Sequence, residues 1–363
     1  MRASLSAVLL RGVLLVVVMF AAMPSVAADR YPSVRPGVLL QFPLDTGAHP
    51  EFRTEWWYIT GWLEDETGTL RGFQLTFFRV RTLIGEDNPG MLAPRQLLLA
   101  HAAVADPAIG RLLHAERAER AVPGLAGAAT SRTEVFVRDW YLQLDDEGRY
   151  RTRVAADDFE YELTFVPDGD PVLNGRGGFS QKTADPINAS YYYSRPQLAV
   201  TGRLVLGGRT LAVRGHAWLD HEWSSEILPA EASGWDWVGI NLHDGGSLMA
   251  FQMRDHQRRP LWTAGTLRSA DGTVNTLAPG QVGFEAGRRW RSPRTGAEYP
   301  VEWQIEADGR RFSLRPLMDD QELDSRATTG AVYWEGAVRL FENDAEVGQG
   351  YLEMTGYRER LRM

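Results

Sequence analysis

The chain states one pattern twice. Residues 56–65 read Trp-Trp-Tyr-Ile-Thr-Gly-Trp-Leu-Glu-Asp, and residues 235–244 read Trp-Asp-Trp-Val-Gly-Ile-Asn-Leu-His-Asp. Without gaps, Trp56 meets Trp235, Tyr58 meets Trp237, Leu63 meets Leu242 and Asp65 meets Asp244. Past a turn one residue shorter in the second copy, Leu70–Leu75 aligns with Leu248–Met253. A later pair of segments also matches, Thr201-Gly202 through Trp218-Leu219-Asp220 against Glu335-Gly336 through Tyr351-Leu352-Glu353. A long-period duplication with hairpin signals in both copies predicts two similar β domains rather than one large fold.

The strand signals agree. Period-2 runs such as Tyr58–Trp62, Gln74–Phe78, Tyr161–Phe165 and Val301–Ile305 are separated by turn chemistry at Asp146-Glu147-Gly148, Pro167-Asp168-Gly169, Asp271-Gly272 and Asp308-Gly309. Aromatic strands broken by Asp-Gly turns are the sequence form of sandwiches and up-and-down barrels. The expectation is an all-β chain of two barrel-like domains, 29–228 and 229–363, with the junction between Ser224 and Gly234. Two segments break the pattern. Residues 115–129 read as a short helix or irregular loop, and residues 169–184 as a long surface loop.

Residues 1–28 read as a secretory signal peptide. Arg2 and Arg11 precede or flank an apolar run, and Val26-Ala27-Ala28 is a small-residue cleavage site. The expected location is the periplasm or the exterior. The chain has no cysteine, so an exported form must draw its stability from core burial rather than disulfides. Net charge is −8 and becomes −10 when Arg2 and Arg11 leave with the leader. An acidic chain without a basic run is a poor nucleic-acid binder. No later stretch is apolar enough for a transmembrane helix.

The densest polar-aromatic cluster is Gly215-His216-Ala217-Trp218-Leu219-Asp220-His221-Glu222-Trp223. On a strand, His216, Trp218, Asp220 and Glu222 share one face, and Ala217, Leu219, His221 and Trp223 the other. An acid held among aromatic rings loses solvation, so Asp220 keeps its proton nearer to neutral pH and could donate it. Indole faces stabilise a developing cation. The alternative is a capped strand end, with Asp220 bonded to backbone and the tryptophans in the core. His216, Asp220, His221 and Glu222 are ligand types for a metal, but strand neighbours face opposite ways, so no metal is expected. Glu55, beside Trp57, either opens onto a cavity or forms a surface pair with Arg53; the pair is the favoured reading. The run Tyr191-Tyr192-Tyr193 reads as packing, with one or two hydroxyls available to a pocket. There is no nucleophile elbow, phosphate loop or dinucleotide fingerprint, and no cofactor is expected.

Five motifs together resemble one family: Glu55–Gly61, Trp218–Trp223, Gly234–Gly239, Ser292–Pro300 and Gly350–Tyr357. They resemble secreted tandem lipocalin-like proteins related to the carotenoid 1,2-hydratases (hydroxyneurosporene synthases), often labelled predicted secreted hydrolases. The resemblance spans about residues 35–360 and implies two packed β-barrels. In the hydratase branch an Asp in an Asp-His-x-Trp motif is thought to protonate an isoprenoid alkene, after which water adds to the cation. That Asp matches Asp220, making Asp220, Trp218 and His221 the candidate catalytic group. The branch has Tyr where this chain has Trp218.

Three functions fit these observations. An aromatic-rich pair of barrels (12 Trp, 12 Tyr, 14 Phe) suits an isoprenoid or lipid-like ligand, held in a barrel or an inter-domain cavity. Tyr191, Tyr193, His216, Trp223, Trp235, Trp237, Glu55 and Trp57 are the expected lining. A hydratase with Asp220 as its acid is the second, and an interaction module serving an envelope transport partner the third.

Overall fold

Hydrophobic residues at every second position bury one face of each strand, and here both faces of the central strands are covered. The computed structural model describes residues 31–88, 90 and 92–361; the expected leader lies outside them. The described chain is all-β apart from a 3-10 turn at Leu44–Thr46. A thirteen-stranded antiparallel sheet has Thr54–Asp65, Arg209–Glu226 and Ala189–Leu206 side by side near its middle. It curls into a nearly closed, lipocalin-like barrel. A second sheet of ten strands has Ala232–Leu242, Ala345–Met354 and Ala331–Glu342 as adjacent members.

The pairing registers reveal the repeat directly. Trp56 stands opposite Phe78 and Tyr58 opposite Asp220 in the first sheet. Trp235 stands opposite Met253 and Trp237 opposite Glu353 in the second. Asp220 and Glu353 are therefore equivalent, as the sequence alignment has them. The other hairpin arm differs from that alignment. The structure matches Thr76, not Phe73, with Phe251. The two hairpins turn differently, and a slip of three residues, an odd number, exchanges the faces of a strand. Phe73 accordingly lies inside the first barrel, while Phe251 faces outward between the sheets.

Each sheet encloses its own core. The first barrel is filled by Trp57, Phe73, Trp140, Tyr161, Phe165, Tyr193 and Trp223 among others. The second encloses Tyr299, Trp303, Phe312 and Trp334. A buried side chain of this size stabilises by roughly 1.5–3 kcal/mol, so cysteine-free stability has an ample source. A third cluster, including Tyr58, Trp62, Tyr192, Trp218, Trp237, Phe251 and Tyr351, lies between the sheets. Small residues allow this approach. A Cβ on Gly72 would stand 2.6 Å from the Tyr351 hydroxyl, and one on Gly239 would stand 2.4 Å from the Trp237 ring.

Two expected loops are structured. Arg111–Arg120 is a strand, and Ala126–Ala128 another. The first is rich in Ala, Glu and Arg, which favour helices in isolation. It is instead the edge of the first sheet, where charged residues block further pairing. Residues 169–184 do not form a surface loop. Val172–Leu173 and Phe179–Gln181 pair with Ala189–Leu206, and Asn174, Ser180 and Lys182 are buried.

Candidate functional site

Period-2 alternation sends neighbouring residues of each central strand into different environments. From Arg209–Glu226, Asp220 and Glu222 face a cleft between the sheets; Leu219, His221 and Trp223 enter the first barrel. From Ala189–Leu206, Tyr192 reaches the cleft and Tyr191 and Tyr193 the barrel. From Thr54–Asp65, Trp56 and Tyr58 line the cleft and Trp57 the barrel. The second sheet adds Trp235, Trp237, Phe251, Met253, Tyr333, Glu335 and Glu353. The cleft holds about 90 Å³ of free interior within a space of about 740 Å³ counted to its open side.

Asp220 is fixed by three donors. The Tyr192 hydroxyl donates to Oδ2 at 2.7 Å; the Ser194 hydroxyl and the Trp218 indole N–H donate to Oδ1, each at 2.6 Å. Burial pushes its pKa up, these hydrogen bonds oppose the rise, and the balance lies at about 7. Trp237 donates to the Tyr192 hydroxyl at 3.1 Å, so the second sheet supports the first sheet's acid. Glu353 receives the Trp235 indole N–H at 3.1 Å, and burial lifts its pKa to about 7. Glu335, its cross-strand neighbour, is pushed well up by burial and by the Glu353 charge. Lys182 enters from the 169–184 segment. Its Nζ lies 2.7 Å from Glu222 Oε1 and 4.9 and 4.7 Å from the ring centres of Tyr192 and Phe251.

The residues singled out in the sequence thus divide. Asp220, Trp235 and Trp237 line the cleft, with Trp218 bonded to Asp220 behind it. His216 is exposed at a separate shallow pocket beside Trp218 and His243. Tyr191, Tyr193, His221, Trp223, Glu55 and Trp57 belong to the barrel interior.

Glu55 is fully buried and is not a surface partner of Arg53. Its Oε1 sits 2.8 Å from His49 Nδ1 and 2.9 Å from His221 Nε2, and Arg79 Nε donates to its Oε2 at 2.7 Å. Against the cost of burial, hydrogen bonds from His221 and His49 and the Arg79 charge hold Glu55 well below the usual carboxylate range. His49 is raised to about 9: burial opposes its charge, but hydrogen bonds to Asp45 and Glu55 prevail. The donor atoms of His49, Glu55 and His221 lie within 4.8 Å of one another, a spacing a metal could use. Each is already engaged, with Arg79 on one carboxylate oxygen and a nitrogen of each imidazole on the other. The set is therefore a closed structural network.

Among the cleft residues that sequence reasoning missed, Tyr192, Lys182, Glu335 and Glu353 carry its polar chemistry. Lys182 carried a signal, being the only lysine in the chain. Glu353 carried another, as the repeat partner of Asp220. Tyr192 was legible by alternation once the Asp220 face was chosen.

The chain belongs to the AttH-like family, whose model matches residues 33–357. It is similar to a Nitrosomonas europaea protein of known crystal structure, also given the AttH name, with 46% identity and a TM-score of 0.85; the match covers 91% of this chain and all of that one. Kievitone hydratase from Nectria haematococca shares the fold at 16% identity and a TM-score of 0.67, over 91% of this chain and 96% of that one. CghA, solved with Sch210972, shares it at 14% identity and a TM-score of 0.53, over 85% and 89%. A search of curated proteins found no match. The resemblance read from the sequence, to lipocalin-like proteins related to hydratases, is thus shown for family and fold.

Proposed function

We propose that this protein binds an isoprenoid or lipid-like molecule in the cleft between its two sheets. The observation that carries the reading is the contrast between filled barrels and an open, aromatic-lined cleft at their junction. Ligand sites favour such junctions and combine apolar walls with a few placed polar groups. Asp220, Glu335, Glu353 and Lys182 are those groups.

Asp220 supports a second reading, acid-catalysed hydration. It faces the cleft with a pKa raised by burial to about 7, so it carries a proton for part of the time at neutral pH. In that reaction the Asp220 proton forms a C–H bond at one alkene carbon. The π electrons leave the other carbon cationic beside the aromatic rings. Water then adds to it, and its lost proton restores the acid. The family resemblance and a hydratase of the same fold make this chemistry reasonable to test.

The experiment is mass spectrometry of organic extracts from the native protein, purified from its own cells, beside Asp220→Asn. The same lipid on both forms supports a binding protein. An unsaturated compound on Asp220→Asn and its hydrated product on the native form supports the enzyme. No bound lipid on either form counts against both readings.

A further inference from the structure

The cleft is unevenly charged. Four carboxyl groups line it, Asp220, Glu222, Glu335 and Glu353, and Lys182 is its sole basic side chain among the described residues. On the first-barrel side the account is settled. Lys182 neutralises Glu222 and lies against two aromatic rings, while Asp220 is held by three neutral donors. On the second-sheet side it is not. Glu335 and Glu353 stand directly opposite each other on adjacent strands, where two like charges would repel, so without a cation the pair cannot carry both charges. Among the described residues no arginine, lysine or histidine pairs with either of them.

A separate observation points to a missing occupant. Glu335 is only 2% exposed, yet its Oε1 makes no hydrogen bond among the described residues. The Tyr58 hydroxyl, lining the same cleft and also buried, lies close enough to Glu335 to interact with it, but the two form no well-aligned hydrogen bond. Buried polar atoms are nearly always satisfied, so a carboxyl and a hydroxyl left poorly aligned at one cavity call for a ligand group or an ordered water. The surrounding walls are Trp56, Tyr58, Trp235 and Tyr333, whose ring faces attract cations. Lys182 already shows, within the same cleft, an ammonium held by one carboxylate and two rings.

We propose that the cleft takes an apolar molecule bearing an amine or quaternary ammonium group, with that positive charge seated at Glu335 and Glu353. The inference rests on the reading that the cleft is the ligand site. The ligand's cation would do for the second-sheet side what Lys182 does for the first. It lets the pair ionise against a positive charge and gains ring contacts in a site shielded from water. A neutral molecule of the same length gains only the apolar contact.

The test compares dodecylamine with 1-dodecanol, both below their aggregation limits, on the full described chain. Emission from Trp56, Trp235 and Trp237 reports occupancy. The expected result is that the amine binds about tenfold or more tightly than the alcohol, the size of a desolvated cation–π and carboxylate contact. In Glu335→Gln/Glu353→Gln that preference falls below about twofold, with alcohol binding retained as evidence of an intact cleft. A surface control, Glu285→Gln/Glu306→Gln, removes the same number of exposed charges and keeps the preference. Equal binding of amine and alcohol by the native protein overturns the charge inference and leaves the cleft reading standing. A preference that survives in the cleft variant, or disappears in the surface control, also overturns it. Failure of both probes to bind overturns the cleft reading and this inference together.

Discussion

Inside the barrels every buried acid near the central strands has a cation; in the cleft most do not. Glu55 meets Arg79 in the first barrel, and Asp236 lies 2.7 Å from Arg254 in the second. These pairs occupy comparable places: Arg79 lies one residue beyond Phe78, and Arg254 one beyond its counterpart Met253. In the cleft, among the described residues, only Glu222 has such a partner. Paired interior charges fix the barrels, whereas unpaired cleft acids retain protons near neutral pH and remain free to meet a ligand.

The largest expected effect breaks an interior pair. Arg79→Met removes the guanidinium from the buried Glu55 carboxylate, leaving it only His49 and His221, and should cost about 3 kcal/mol in urea unfolding. A loss below 1 kcal/mol would remove the distinction between interior and cleft. Lys182→Met tests the exception. It should cost about 3 kcal/mol, and adding Glu222→Leu should recover much of that, because both charges then leave together. Tyr192→Phe is smaller, about 1 kcal/mol for a hydrogen bond to Asp220. By removing one donor to the carboxylate it should also raise the Asp220 pKa, readable by carbon NMR titration.

The remaining effects are slopes of stability against pH. Asp220 has a folded pKa of about 7, above its ordinary 3.8. Its protonated form therefore favours the fold, and that contribution, complete below pH 3.8, is lost as pH rises through 7. His49, raised from 6.5 to about 9, contributes fully below pH 6.5 and loses that contribution as pH rises through 9. Asp220→Asn should flatten only the lower window and His49→Gln only the upper one, in thermal midpoints measured across pH. Identical curves for both variants would refute the separation of cleft from interior.

Much of this was legible because alternation is geometry. The Trp218–Trp223 run announced two faces, and the structure has those faces. The repeat likewise matched Asp220 with Glu353. What sequence could not say was which side of each strand would be core, since both sides are apolar. The tyrosine run shows it: Tyr191 and Tyr193 were chosen, yet Tyr192 bonds Asp220. Glu55 reads as a surface partner in sequence because two of its three real partners, Arg79 and His221, lie far along the chain, and His49, six residues before it, reaches it only through a turn. The 169–184 segment looked like a loop because its short strands are recognisable only against Ala189–Leu206.

The internal duplication has a consequence for directionality. A cleft formed by two identical subunits about a twofold axis must offer each residue twice, so a rod-shaped guest could lie in it either way round. In a single chain that constraint is absent. One wall of the junction carries Lys182 with Glu222, and the other Glu335 beside Glu353. The two walls of the cleft are not interchangeable, so a guest seated between them would meet a different charge on each.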